Sequence, residues 1–150
     1  LFRIRLVLER TEDRMVFRVG RLFRVVNVVT ALVLVAAGFL LQSATVPAVL
    51  ASLALLGALY QESSTFDKSR GRAEFRLGLL VFHRTKAFDL ADVVEVRTST
   101  FGSARFIGLE VGLRDGSTLT IENDRGKASF ERLSSWGAEL AQWLGVPLVT

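Results

Sequence analysis

The 150 residues are 50% hydrophobic with a mean hydropathy of +0.37, which allows one domain plus a membrane element and is apolar for a soluble domain of this size. With no cysteine, disulfides, thiolate metal ligands and a cysteine nucleophile are excluded. The formal charge of +4 lies wholly in residues 1–24, where seven arginines face Glu9, Glu12 and Asp13; because this excess abuts an uncharged run, it reads as charge flanking a membrane segment and not as a nucleic-acid surface.

Phe2, Ile4, Leu6 and Leu8 alternate with Arg3, Arg5, Val7 and Glu9, the period of a half-buried strand. A polar turn, Arg10-Thr11-Glu12-Asp13, precedes Met15, Phe17 and Val19, which alternate with Val16, Arg18 and Gly20. Residues 1–20 are thus predicted to form a β-hairpin. An amphipathic basic helix on a bilayer is disfavoured, because the period is two and not 3.6.

From Val25 to Gln61, 37 consecutive residues carry no charge. As one helix they would measure roughly 55 Å, against roughly 30 Å of hydrocarbon, so residues 22–61 are predicted to form a transmembrane helical hairpin. The first span covers about residues 22–41, with Asn27 and Thr30 as its polar interruptions. Gln42-Ser43-Ala44-Thr45 is the break, and Pro47 suits the first turn of a second helix. That helix covers about residues 46–60, with 61–64 completing it at the interface. A signal peptide cleaved near Gln42-Ser43-Ala44 is disfavoured, since a patterned segment precedes the run and a second apolar run follows it directly.

Topology follows from the flanking charges. The connecting loop has none, Arg18, Arg21 and Arg24 precede the first span, and Lys68, Arg70, Arg72 and Arg76 follow the second. Both termini are therefore expected in the cytoplasm of a bacterial cell, with the spans in its inner membrane. The same seven residues are candidate contacts for anionic headgroups as well as topogenic charges. Ala48/Ser52 and Ala54/Ala58, with Gly57, are small-xxx-small pairs that suit close lateral helix packing, either within the hairpin or against another subunit.

Residues 62–150 are predicted to form a cytoplasmic β-rich domain ending in a helix, with twelve basic and twelve acidic side chains. Strands are expected over 73–77 and 81–88 about a bend at Gly78, and over alternating runs carrying Val94, Val96 and Thr98, then Ile107, Leu109, Val111 and Leu113. Asp115-Gly116 before Leu119 and Ile121 marks a tight hairpin. Residues 129–144 form a helix capped by Ser129, stopped by Gly145 and Pro147, with Phe130, Leu133, Leu140 and Leu144 on one face. Two strands before the spans and about five after them make a sheet of about seven, in which residues 1–20 join the later strands and the helical hairpin is an insertion.

No chemistry-bearing motif emerges. His83 is the sole histidine and no second His or Cys could complete a zinc site. Asp89/Asp92 and Glu122/Asp124 sit at strand ends or turns and are too sparse for a Ca²⁺ loop. Phosphate-loop, nucleophile-elbow and dinucleotide fingerprints are all missing. The expectation is a protein without catalytic residues, cofactor, metal or small-molecule substrate.

Phe66-Asp67-Lys68, Gly71, Arg76 with Gly78, Asp89-Leu90-Ala91-Asp92-Val93, Asp115-Gly116 and Leu144-Gly145-Val146-Pro147-Leu148 together resemble bacterial two-span membrane proteins with a pleckstrin-homology-like domain. The chain is more weakly similar to the photosystem I assembly factor family, from whose pattern the amino-terminal hairpin departs. The resemblance covers about 85 residues. It implies a pleckstrin-homology-like sheet capped by the carboxy-terminal helix, and no catalytic residue. The expected role is a non-enzymatic accessory, scaffold or assembly subunit of a larger membrane complex, photosynthetic or respiratory, with lipids and other membrane subunits as partners. The alternative is a membrane-anchored, lipid-responsive or peptide-binding module acting alone.

Overall fold

The amino-terminal alternation becomes β1 (Leu6–Arg10) and β2 (Arg14–Val19) in a computed structural model that describes residues 6–40, 45–79, 82–101 and 106–150. Phe2, Ile4, the Gln42-Ser43-Ala44 break and Val81 lie outside the described residues. Thr11 closes the first turn, its N–H and its hydroxyl both donating to the Arg14 carbonyl, at 2.7 and 3.0 Å. Met15, Phe17 and Val19 are buried while the residues between them are half-buried, as a period of two demands.

The uncharged run forms α1 (Arg21–Leu40) and α2 (Thr45–Leu59), which pack against each other. At 1.5 Å per residue their 20 and 15 residues measure about 30 and about 22 Å. Among the described residues, α1 is the one helix long and apolar enough to cross a membrane. The second helix ends earlier than the sequence suggests. Tyr60 and Gln61 already belong to β3 (Tyr60–Asp67), whose Ser64 and Phe66 are buried at a spacing of two. Polar side chains disguise this strand: only Phe66 signals its inward face.

β4 (Arg72–Leu79) and β5 (His83–Asp89) follow, then a single 3-10 turn and β6 (Val93–Phe101), β7 (Phe106–Leu113) and β8 (Thr118–Arg125). The chain ends in α3 (Lys127–Leu144) and a two-residue β9 (Leu148–Val149). The result is an α+β fold with nine strands and three α-helices among the described residues, in place of about seven strands in one sheet. One sheet has the order β1-β2-β3-β4-β5, so β2 and β3 are neighbours across the helical insertion. The other has the order β8-β7-β6-β9, with β9 parallel to β6.

Contacts divide the chain into two compact units, and every strand of the first sheet contributes residues to both. The first unit holds residues 1–7, 18–63 and 75–85, hence both apolar helices. The second holds 8–17, 64–74 and 86–150, hence the second sheet and α3.

The core of the second unit is aromatic. Phe17 meets Phe66 edge-on at 6.2 Å and Trp136 of α3 at 5.6 Å. On another side of α3, a Cβ at Gly137 would come within 2.9 Å of Thr98 and 3.2 Å of Leu109, so glycine allows the helix to lie directly on β6 and β7. Trp143 Nε1 donates to the Glu12 carbonyl at 3.1 Å, and the Lys68 ammonium stands 4.5 Å from the Trp143 ring.

Several local expectations change. A bulge between Val93 and Glu95 makes Val93 the buried residue and leaves Val94 exposed. Asp115-Gly116 sits in a four-residue connection and not a two-residue one: Leu113 N–H donates to Ser117 O, Gly116 N–H to Leu113 O, and the Asp115 carboxylate accepts from Ser117 N–H. α3 begins at Lys127 after Gly126, so Ser129 is inside the helix; its hydroxyl donates to Asp124 at 2.7 Å. Phe130 is exposed because the buried stripe runs Ser129, Leu133, Gly137, Leu140 and Ala141. Gly145 does stop the helix, at φ +75°, donating to the Ala141 carbonyl.

Candidate functional site

In the first unit the helical pair has a distinct inner seam and outer face. Phe23, Asn27, Ala31, Leu34 and Gly38 on α1 are sheltered at steps of three or four, as are Pro47, Ala51, Ala54 and Ala58 on α2. Asn27 explains one of the two polar interruptions. Its amide donates to the Phe23 carbonyl at 2.8 Å, and its Oδ1 would stand 2.8 Å from a Cβ at Gly57. Gly57 therefore makes room for a polar side chain between the helices.

The small-residue pairs divide accordingly. Ala54, Gly57 and Ala58 lie on the seam, whereas Ala48 and Ser52 are exposed. The Ser52 hydroxyl is satisfied within its helix by the Ala48 carbonyl. Ala48 also lines an apolar crevice of about 180 Å³ with Val35, Gly38, Phe39 and Pro47. The outer face is built of large apolar side chains left exposed, among them Leu22, Leu32, Val33, Phe39, Leu53 and Leu55.

The basic candidates also divide. Arg18, Arg21, Arg24 and Arg76 belong to the unit with the apolar helices. Lys68, Arg70 and Arg72 do not directly follow the second helix as the sequence suggests: eight residues of β3, about 26 Å of extended chain, intervene. Arg72 opens β4, and Lys68 and Arg70 lie in the β3–β4 turn of the second unit, organised by Asp67. Its carboxylate accepts from Ser69 at 2.6 Å and from Arg70 N–H at 3.1 Å. Ser69's hydrogen bond, aided by Arg70 and Arg14 against a desolvation penalty, holds this carboxyl below its ordinary range.

Among the described residues, the first unit contains five arginines (18, 21, 24, 76 and 84) against Glu62, and the second eleven basic against fourteen acidic residues. The net positive charge therefore coincides with the apolar helices. Glu62 accepts a hydrogen bond from the Tyr60 hydroxyl at 2.9 Å. Burial pushes its carboxyl pKa up, only partly countered by that bond.

The second unit holds a carboxylate pair that the sequence assigns to a solvated strand end. Glu122 and Asp124 are largely sheltered on β8, and both are bridged by Arg132 of α3, whose guanidinium also lies 5.0 Å from the Trp136 ring. Strand period alone could have placed both acids on one face; the arginine ten residues away on a helix was the missing signal. The arrangement ties α3 to β8, with one guanidinium shared between two carboxylates. A crevice of about 310 Å³ lies beside α3, lined by Arg97, Thr98, Ser99, Phe130, Ser134 and Val149. Arg97 is engaged by Glu95. His83 is exposed, and among the described residues no group of His, Asp and Glu is arranged to hold a metal ion. No protein-family model matches the chain, and no curated protein is significantly similar to it.

Proposed function

We propose that this chain is a non-enzymatic accessory, scaffold or assembly subunit of a larger bacterial membrane complex. In this reading α1 and α2 enter the cytoplasmic membrane as a hairpin, both termini stay in the cytoplasm, and the β-rich part is a pleckstrin-homology-like domain. The observation that carries it is the outer face of the helical pair. Large apolar side chains lie exposed along both helices, and extended apolar surface of this kind marks a membrane or partner contact. The arginines of the same unit supply complementary charge for an anionic leaflet, at about 1 kcal/mol per basic residue near the surface. The outward Ala48/Ser52 pair favours a lateral helix partner, because small residues allow backbones to approach in lipid.

The resemblance to two-span bacterial proteins gives the same direction, with a photosynthetic or respiratory complex as the setting. The test is extraction of the full chain in a gentle detergent followed by quantitative mass spectrometry. A stoichiometric membrane-protein partner supports the scaffold reading. A lone chain retaining anionic lipid supports a lipid-responsive module, the reading that the excess of arginine beside the helices favours. Release from membranes by alkaline carbonate would refute both.

A further inference from the structure

The outer edge of β6 is only partly used. β6 runs from Val93 to Phe101, and β9 pairs with it in parallel at Val96 and Arg97 alone. Val96 N–H donates to the Pro147 carbonyl at 3.0 Å, which fixes the direction of the backbone groups. Successive residues of a strand turn their N–H and C=O groups to opposite sides. Thr98 and Thr100 therefore face the β9 side with Val96, while Arg97, Ser99 and Phe101 face β7. Among the described residues, no strand pairs with residues 98–101 on the β9 side. An edge left open in this way is a template for one more strand.

The crevice beside α3 lies along the same stretch. α3 rests on Thr98 and Leu148 through Gly137, and Ser134 and Phe130, about one and two turns earlier, line the crevice together with Thr98, Thr100 and Val149. Its surface is mainly apolar, and it explains the exposure of Phe130, the aromatic side chain that the buried stripe of α3 leaves out. The same lining holds two buried polar atoms, Ser99 Oγ and Arg97 Nε, that have no hydrogen-bond partner among the described residues. Unpaired main-chain groups, an apolar recess and orphaned polar atoms thus coincide where β9 stops. Together they call for extended main chain with alternating side chains. A second copy fits poorly: two β6 edges paired antiparallel about Ser99 would bring Phe101 of one beside Arg97 of the other, where β9 already lies.

We propose that β6 accepts one further strand, an extended segment of a partner protein that pairs with residues 98–100 beyond β9 and sets an apolar side chain into the crevice against Phe130. The segment has the alternation of a half-buried strand, apolar toward α3 and hydrogen-bonding toward Ser99 and Arg97 on the other face. Main-chain bonds supply the affinity and the crevice supplies the selectivity. The proposal deepens the scaffold reading and rests on it for the existence of a protein partner.

The test pans a phage-displayed library of short random peptides on the full chain in a mild non-ionic detergent. Thr100→Pro removes one edge-facing N–H and leaves the bonds to β7 in place, a change that an edge strand tolerates. Phe130→Ala removes the aromatic wall of the crevice at an exposed position. Both variants should unfold close to the wild-type midpoint, followed by Trp136 and Trp143. The expected result is enrichment of proline-poor sequences with an apolar residue at every second position. The best-enriched peptide should bind each variant several-fold more weakly than the wild type. It should also slow amide exchange at Thr100 and leave Ser99, already turned to β7, unchanged. No enrichment over the bare support overturns the proposal. So does a peptide that binds both variants as well as it binds the wild type, since it then sits elsewhere. A wild-type chain that dimerises while Thr100→Pro stays single assigns the edge to a second copy, and the proposal falls. A chain that copurifies with a membrane-protein partner yet enriches no peptide keeps the scaffold reading and loses the strand. A chain extracted without any protein partner loses the reading, and the strand's natural occupant with it, even where library peptides bind.

Discussion

Phe17→Ala measures how far the amino-terminal hairpin holds the second unit together. Phe17 is fully buried and its ring meets both Phe66 on β3 and Trp136 on α3. Truncation of a buried Phe to Ala costs about 3–5 kcal/mol through lost transfer free energy and the cavity left behind. The two edge-on ring contacts lie within that figure, at about 0.5–1.5 kcal/mol each. Against a total stability of about 5–15 kcal/mol, one side chain on β2 should remove roughly a fifth or more of it. The assay is urea unfolding of the full chain in a mild non-ionic detergent, followed by fluorescence of Trp136 and Trp143, both on α3. With a slope of about 2 kcal/mol per molar, the midpoint should fall by roughly 2 M. Phe82→Ala, at an exposed position, is the control and should stay within about 0.5 kcal/mol of the wild type. A Phe17→Ala shift no larger than that of Phe82→Ala would refute the assignment of β2 to this core.

Leu55→Arg, on the exposed face of α2, should cost about 2.5–3.5 kcal/mol of insertion near mid-bilayer and reduce the carbonate-resistant fraction. With thiol labelling in intact cells, Thr45→Cys should react with an impermeant reagent from outside and Glu131→Cys only after lysis; the reverse pattern overturns the topology. Gly57→Leu should loosen the helical pair by about 1–3 kcal/mol, since its side chain would collide with Asn27. Asn27→Ala should relieve part of that cost, measured as non-additivity in a double-mutant cycle. Asp67 is held below its ordinary range in the folded chain, so its contribution is complete above the unfolded-state value and is lost as pH falls through the folded one. The acid limb of the stability profile should therefore flatten in Asp67→Asn, read by unfolding midpoints between neutral and strongly acidic pH.

Much of the fold is written in local periods. Met15, Phe17 and Val19 alternate as they bury, and Ile107, Leu109 and Val111 are buried at a spacing of two on β7. The uncharged run breaks into two helices, and Gly145 ends the last one. The misses have physical causes. β3 is polar in sequence because its inward residues are Ser64 and Phe66, only one of which looks like core. The bulge in β6 shifts burial from Val94 to Val93, and no periodic pattern anticipates an extra residue. On α3 the buried stripe contains Ser129 and Gly137, so hydrophobicity pointed to Phe130 instead. For the candidate site, the spacing of small residues was legible, but which pair faces the seam depended on where Asn27 falls on α1. The concentration of positive charge with the apolar helices was not legible, because residues 18–24, 76 and 84 are gathered by strand order and not by sequence.

The arrangement of β1, β2 and α3 also sets a schedule for synthesis. Arg10 pairs with Glu139, and Glu12 receives the Trp143 bond from a residue 131 positions later. These contacts close around strands made before the helical pair, so Met15 and Phe17 leave the ribosome long before their covering helix exists. From Val19 to Leu144 the wait is about 6–25 s at ordinary translation rates. A two-stranded hairpin alone is at best marginal in water over that interval. A chain that stalls anywhere before α3 therefore displays the apolar side of β2 to chaperones and proteases, and the emergence of α3 is itself the signal that hides it.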